Sequence, residues 1–193
     1  MLFVNSCPRG SESRTLQLAR AFLQEADANQ WEVVTHDLNT MGLRSVDAET
    51  LAVKEPLCDA SAWDHPLFRH TLEFQQADMV VVAAPYWDLS FPSILKVWVE
   101  NMYARNLTFH YEDDRCIGMC RGTEAVYITT SGSPIRENDW GTEYIKAVLH
   151  ELGIQSFTAI KAEGLDLVGN DAQKIMEAAT AEAVKAARRL LAK

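Results

Sequence analysis

The residues best suited to bind a ligand lie in three segments of the chain. The first, residues 6–15 (SCPRGSESRT), combines four hydroxyl side chains with Gly10 and two arginines. Hydroxyls and free backbone amides at the start of a helix hold phosphate, because the positive end of the helix dipole faces them. The segment matches neither G-x-G-x-x-G nor G-x-x-x-x-G-K-[ST], so it predicts a monophosphate site rather than a dinucleotide fingerprint or a P-loop. The alternative is that Ser11 or Ser13 only caps the helix.

The second segment, residues 84–92 (APYWDLSFP), is aromatic where a surface connection is usually polar. Aromatic side chains beside an exposed backbone suit a flat ring with a polar edge. The alternative is that these aromatics pack under a partner chain, and both interpretations can hold together. The third segment, residues 131–134 (SGSP), is short and polar.

Apolar periodicity places each of these segments directly after a strand. Strands are predicted at residues 2–5, 31–38, 78–83, 125–130 and 154–162. The uninterrupted apolar run in residues 78–83 is typical of a strand buried on both faces of a parallel sheet. Helices are predicted between the strands, and a long C-terminal helix is predicted to begin with Asn170 as N-cap and Gln173 three residues later. Residues 39–64 receive no element.

Strands that alternate with helices require right-handed crossovers and therefore a parallel sheet with helices on both faces. Because no linker or repeat divides the chain, we predict a single doubly wound α/β domain over residues 1–193. In such sheets ligands bind beyond the carboxyl ends of the strands, where the strand order reverses. The three segments are predicted to meet there.

Composition narrows the classes of partner. The 18 Lys and Arg against 27 Asp and Glu give a net charge of −9, which disfavours nucleic acid and anionic membranes. No apolar stretch approaches the roughly 20 residues of a membrane-spanning helix, and the first residues do not resemble a signal peptide, so a cytoplasmic location is expected. The four cysteines are expected to be reduced. The five histidines lack metal-ligand spacing, so we predict no metal site.

The order and spacing of five motifs resemble the FMN-dependent NAD(P)H:quinone oxidoreductases and azoreductases of flavodoxin-like fold. The motifs are S-x-S at residues 11–13, the loop from Pro85 to Pro92, LTFHY at residues 107–111, TSGS at residues 130–133 and Glu163-Gly164. The resemblance covers nearly the whole chain and implies the strand order 2-1-3-4-5. It also implies FMN as cofactor, NADH or NADPH as donor, a quinone or azo acceptor, and ping-pong hydride transfer through the flavin. A homodimer is implied through the helix that carries Trp98 and Tyr103.

The resemblance further implies which residues form the site, and it implies no catalytic side chain because the chemistry takes place on FMN. The implied cofactor-binding residues are Ser6, Arg9, Ser11, Glu12, Ser13, Pro85, Tyr86, Trp87, Asp88, Leu89, Thr130, Ser131, Gly132 and Ser133. The implied substrate pocket comprises Tyr86, Trp87, Phe109 and Tyr111. Two residues depart from the family pattern. Asp88 replaces a frequent Asn and would disfavour an anionic reduced flavin unless its side chain turns away, and Ser133 replaces a frequent Gly.

Two alternatives stay open at this point. A non-catalytic flavodoxin-like regulatory or electron-carrier subunit would bind FMN but reduce quinones slowly or only with a partner. A more remote alternative is a hydrolase that resembles low-molecular-weight tyrosine phosphatases, with Cys7 as nucleophile and Arg14 downstream. That family requires C-x5-R, whereas this chain has C-x6-R and contains no Asp-Pro dipeptide to supply the general acid.

Overall fold

Five parallel strands form the central sheet of the computed structural model, which describes residues 1–192. The strands of the chain are β1 (Leu2–Asn5), β2 (Val34–Asp37), β3 (Met79–Ala83), β4 (Phe109–Glu112), β5 (Arg115–Gly118), β6 (Glu124–Thr130) and β7 (Ser156–Ala162). The central sheet has the order β2-β1-β3-β6-β7, and all its pairs are parallel. Counted along the parallel strands alone, this is the predicted order 2-1-3-4-5. Strands β4 and β5 form a separate antiparallel hairpin that was not predicted as strands.

The described residues form six α-helices, five of which cover the two faces of the sheet. The six helices are α1 (Arg14–Ala28), α2 (Ala48–Asp59), α3 (Arg69–Gln76), α4 (Ser93–Met102), α5 (Trp140–Glu151) and α6 (Ala172–Leu191). Helices α1 and α6 pack on one face, whereas α3, α4 and α5 pack on the other. The side chains of β3 alternate between these two cores, with Val81 in the first and Val80 and Val82 in the second. This alternation explains why β3 reads as one continuous apolar run.

Helix α2 lies within residues 39–64, where the sequence predicts no element. The Asp47 carboxylate starts the helix by accepting a hydrogen bond from the Thr50 amide at 2.8 Å. Only Lys54 and Cys58 of this helix are buried, and Pro56 stands inside it, so it shows no clear apolar stripe. Lys54 Nζ donates to the Asn101 carbonyl at 2.9 Å, which ties α2 to the end of α4. The helix is therefore held in part by a polar contact that periodicity does not reveal.

The predicted cap of the last helix is wrong by one residue. Helix α6 begins at Ala172, and the Asp171 side chain accepts from the Lys174 amide at 3.1 Å. Asn170 Nδ2 donates instead to the Gly164 carbonyl at 2.8 Å. Asn and Asp are comparable N-caps, so two adjacent candidates cannot be separated by residue type.

The described helices include none that is long and apolar enough to cross a membrane. All four cysteines are free, and Cys7 and Cys58 are buried.

Candidate functional site

The carboxyl ends of β1, β3 and β6 meet at a cavity of about 180 Å³. Hydrogen bonds beyond the regular strands hold the three loops side by side at this edge. The Ser6 amide donates to the Ala83 carbonyl at 2.9 Å, and the Tyr86 amide donates to the Thr130 carbonyl at 3.0 Å. The three segments singled out in the sequence therefore share one site.

Most of the predicted cofactor-binding residues line this cavity. Those that line it are Arg9, Glu12, Ser13, Pro85, Tyr86, Trp87, Thr130, Ser131 and Gly132. Leu89 and Ser133 line a neighbouring cavity, whereas Ser6, Ser11 and Asp88 line neither. Four lining residues were missed: Pro8, Arg14, Thr15 and Asp166. The first three stand inside the predicted phosphate segment, so their position alone could have suggested them.

The first turn of α1 forms the polar end of the cavity. Ser13 is the N-cap, and its Oγ accepts from the Leu16 amide at 3.3 Å. Ser13 also lines the cavity, so the capping and binding interpretations are compatible for this residue. The next two residues, Arg14 and Thr15, line the cavity as well, and helix geometry gives their amides no acceptor within α1. A small anion fits the donors and the positive end of the dipole here.

Ser6 supplies a second indication of an absent ligand atom. The residue is fully buried, and its Oγ has no hydrogen-bond partner among residues 1–192. An unsatisfied buried hydroxyl costs about 1–3 kcal/mol, so such groups are rare unless a ligand or water completes them. Ser6 does not itself line the cavity, but it opens the loop that supplies Pro8, Arg9 and Glu12 to it, so its hydroxyl is a candidate donor to a phosphate oxygen.

A strained turn forms the aromatic end of the cavity. Trp87 and Ser90 exchange backbone hydrogen bonds at 3.1 and 2.7 Å, and the two residues between them, Asp88 and Leu89, have φ values of 51° and 65°. A leucine in this left-handed region costs about 1–2 kcal/mol. Backbone strain of this kind concentrates at binding sites. Asp88, one of the residues that the resemblance implies for the cofactor site, is exposed and does not line the cavity.

The opposite edge of the cavity is held by the segment after β7. The Leu165 amide donates to the Ser131 carbonyl at 3.1 Å, and the Asp166 amide donates to the Gly132 carbonyl at 2.9 Å. Glu163 Oε2 accepts from the Ile135 amide at 2.8 Å. These bonds give the Glu163-Gly164 motif a positioning role, because they fix the loop after β6.

An ion pair joins this edge to α1. Arg14 Nη2 lies 2.8 Å from Asp166 Oδ1, and Arg14 Nη1 donates to the Leu165 carbonyl at 3.3 Å. A Cβ added to Gly132 would lie 2.3 Å from Asp166 Oδ2. Glycine at position 132 thus lets the loop approach Asp166 closely beside the cavity.

Cys7 lacks the properties of a phosphatase nucleophile. Its side chain is fully buried, and Sγ donates to the Ala83 carbonyl at 3.6 Å. Burial raises the pKa of the Cys7 thiol to about 11, which keeps it protonated at neutral pH. Since Arg14 is engaged by Asp166, the hydrolase alternative has neither a thiolate nor a free guanidinium.

Two predicted pocket residues lie elsewhere in the subunit. Phe109 and Tyr111 belong to β4, where their rings pack against each other at 5.5 Å and Phe109 also contacts Tyr103 at 5.5 Å. Neither residue lines the cavities that contain Tyr86. Within one subunit they do not border these cavities, and their place in the substrate pocket stays a prediction.

Trp98, on the helix through which the resemblance implies a homodimer, is itself buried within the subunit. It is 1% exposed, and its Nε1 donates to His36 Nδ1 at 3.0 Å. This bond places the His36 proton on Nε2, which donates to Glu73 Oε2 at 2.8 Å. His70 Nδ1 contacts the same oxygen at 2.9 Å.

His36, His70 and Glu73 place their ligand atoms within 4.8 Å of one another, as a metal site would. A metal on His36 Nε2 would displace its proton while Trp98 still faces Nδ1 with a donor. A neutral imidazole has one N–H donor and one acceptor nitrogen, so His36 cannot bind a metal through Nε2 and still accept the Trp98 hydrogen bond at Nδ1. The group is therefore better described as a hydrogen-bond network, and burial lowers the pKa of His36 within it.

Comparison with known proteins gives one consistent result. A family model described as flavodoxin-like fold matches residues 1–187. An FMN-dependent NADH:quinone oxidoreductase 2 from Clostridium acetobutylicum is 34% identical and is covered over 88% of its length by 89% of this chain. An FMN-dependent NADH:quinone oxidoreductase from Caldicellulosiruptor saccharolyticus is 31% identical, with 98% of each chain covered.

Solved structures agree at the level of the fold. An FMN-dependent NADH-azoreductase from Bacillus anthracis, solved in complex with FMN, superposes with a TM-score of 0.86 at 22% identity over 98% of each chain. An azoreductase from another strain of that organism gives a TM-score of 0.87 at 21% identity over 97% of this chain and 98% of its own.

Proposed function

The chain belongs to the family of FMN-dependent NADH:quinone oxidoreductases with the flavodoxin-like fold, and from that premise we propose that it is an FMN-dependent NADH oxidoreductase. Its acceptors are quinones and azo compounds. One observation carries the proposal: the cavity at the carboxyl ends of β1, β3 and β6 joins the start of α1 to an aromatic, strained turn. A cofactor with a phosphate at one end and a flat ring at the other matches both ends.

The phosphate end is assigned to the loop before α1. The amides of Arg14 and Thr15 and the Ser6 hydroxyl hold the phosphate, while the dipole of α1 stabilises its charge. Arg9 adds a cation at the mouth of the cavity, where it is exposed. These local donors are needed because the protein as a whole carries a net charge of −9 and repels anions.

The ring end is assigned to the loop after β3. Tyr86 and Trp87 wall the ring and exclude water, and Ser131 and Gly132 border its polar edge. When bound, FMN would supply the redox chemistry between NADH and the acceptor. The protein binds, orients and shields the reactants.

Steady-state kinetics test the proposal. FMN-loaded protein should oxidise NADH with a quinone as acceptor, and double-reciprocal plots at several quinone concentrations should be parallel, because donor and acceptor occupy one site in turn. An azo dye should replace the quinone. Protein that binds FMN tightly but turns over only when a second protein is added would instead identify the regulatory or electron-carrier subunit.

The cytoplasmic location remains a prediction.

The proposed assembly is a homodimer. A groove of about 590 Å³ between α2, α4 and α5 is lined by Leu51, Val99 and Tyr103, among others. Leu51 is 41% exposed, and Val53 on the same helix is 50% exposed. Exposed apolar side chains beside a groove favour a contact between subunits. Sedimentation should give a dimer for the native chain and a monomer for Leu51→Glu; a native monomer would contradict the assignment.

A further inference from the structure

A second cavity of about 510 Å³ adjoins the first and shares Tyr86 with it. It lies between the strained turn after β3 and residues 133–140, which connect β6 to α5. The shared residue makes the two cavities neighbours along one surface. If the reactive ring of a ligand lies at Tyr86, the rest of that ligand can extend into the second cavity.

The second cavity exposes large apolar side chains. Trp140 is 57% exposed, and Leu89 is 64% exposed at a φ of 65°. Trp140 is the first residue of α5, whose preceding residue Asp139 caps the helix through the Thr142 amide at 3.0 Å. The Trp140 backbone is therefore fixed while its indole stays open to solvent. An indole in this position can stack on a planar heterocycle.

The same cavity contains an unpaired cation. No carboxylate of residues 1–192 forms an ion pair with Arg136. The nearby Asp139 is already engaged by Lys161. A guanidinium binds phosphate oxygens in pairs. In a chain with a net charge of −9, an unpaired arginine beside an indole is well suited to a ligand that combines phosphate with a heterocycle.

We propose that the second cavity binds the adenosine diphosphate half of NADH, with Arg136 on the diphosphate and Trp140 on the adenine. The nicotinamide then extends towards Tyr86 and the first cavity. Glu137 also lines this cavity, next to Arg136 in the chain. This inference rests on the proposed function, because it requires a nicotinamide donor.

The test compares two donors on the FMN-loaded protein. NADH contains the adenosine diphosphate half, whereas dihydronicotinamide riboside has the same reactive ring without it. For Arg136→Gln, the ratio of kcat/KM for NADH to that for the riboside should fall about tenfold, the size of one lost charge-assisted contact. For Trp140→Ala the ratio should fall by up to about tenfold, the size of one lost aromatic stack. Arg20→Gln, on the exposed face of α1, is the matched control and should leave the ratio unchanged. Direct binding of 5′-ADP to the loaded protein, measured by calorimetry, should weaken in the first two variants only.

Each outcome has a separate meaning. If neither donor reduces the native protein, the proposed function fails. If both donors work but the ratio is unaffected by Arg136→Gln and Trp140→Ala, the function stands and this inference is overturned. Competition of 5′-ADP with a sulfonated azo acceptor but not with NADH would also overturn it, because the cavity would then serve the acceptor.

Discussion

Replacing Ser6 by alanine should leave the FMN-free protein at least as stable as the native protein and weaken its binding of FMN. In Ser6→Ala the buried Oγ, which has no partner among the described residues, is replaced by hydrogen. The Ser6 amide keeps its bond to the Ala83 carbonyl at 2.9 Å, so the backbone has no reason to move. If the hydroxyl served only to stabilise the fold, its removal would lower the stability of the protein and leave FMN binding unchanged.

The structure sets the expected size of both effects. Relief of an unsatisfied buried hydroxyl is worth up to about 1–3 kcal/mol, so the FMN-free variant should be at least as stable as the native protein. At roughly 2–4 °C per kcal/mol for a chain of this length, its Tm should stay equal or rise by a few degrees. Loss of a charge-assisted hydrogen bond to phosphate costs about 1.5–3 kcal/mol, which raises the FMN Kd about 10- to 100-fold.

Thr108→Val is the matched control. Thr108 is also fully buried, but its Oγ1 accepts from the Ala104 amide at 3.0 Å and donates to the Met102 carbonyl at 2.9 Å. It precedes β4 and belongs to none of the three loops that form the cavity. This variant should lose about 1–3 kcal/mol of stability and keep its FMN affinity.

Urea unfolding of FMN-free protein and fluorescence titration with FMN measure the two quantities. A Ser6→Ala protein that is destabilised by more than 1 kcal/mol without FMN would show that the hydroxyl has a structural partner. An unchanged FMN Kd would remove Ser6 from the phosphate site. Either result would contradict the assignment of the unpartnered Ser6 hydroxyl to the phosphate.

Three further predictions concern the ring end and the core. Trp87→Ala should raise the FMN Kd about tenfold in a fluorescence titration, because it removes an aromatic wall; an unchanged Kd and turnover would exclude Trp87 from the site. Leu89→Gly should raise the free energy of unfolding in urea by about 1 kcal/mol, because glycine accepts the φ of 65° without strain; a loss of stability would mean that the turn is unstrained. Burial lowers the pKa of His36, so the unfolded chain binds the proton more readily than the folded one. Stability should therefore fall as pH drops below about 6.5, and this part of the loss should disappear in His36→Gln, whereas an unchanged pH profile would contradict it.

Local signals in the sequence predicted the scaffold of the site. The run in β3 is apolar because both faces of the strand are buried, and Ser13 stands before an amphipathic helix. Alternation of strands and helices then determines the handedness and the edge at which loops meet. Each of these features depends on residues that are close together in the chain, so it can be recognised from a single sequence.

The contacts that close the site depend on residues far apart in the chain. Arg14 and Asp166 are separated by 152 positions, and only the folded sheet brings Asp166 beside Gly132. The hairpin of β4 and β5, which carries Phe109 and Tyr111, was missed because its residues show no clear strand signal. Helix α2 was missed because most of its residues are exposed, leaving no apolar stripe to detect.

Visible absorbance of FMN-loaded protein, recorded while NADH is added without oxygen, tests the reductase assignment first. The flavin absorbance should bleach rapidly and recover when a quinone is then added. A protein that retains FMN without bleaching would contradict the assignment as a reductase, and a protein that retains no FMN would contradict the assignment of the cavity itself.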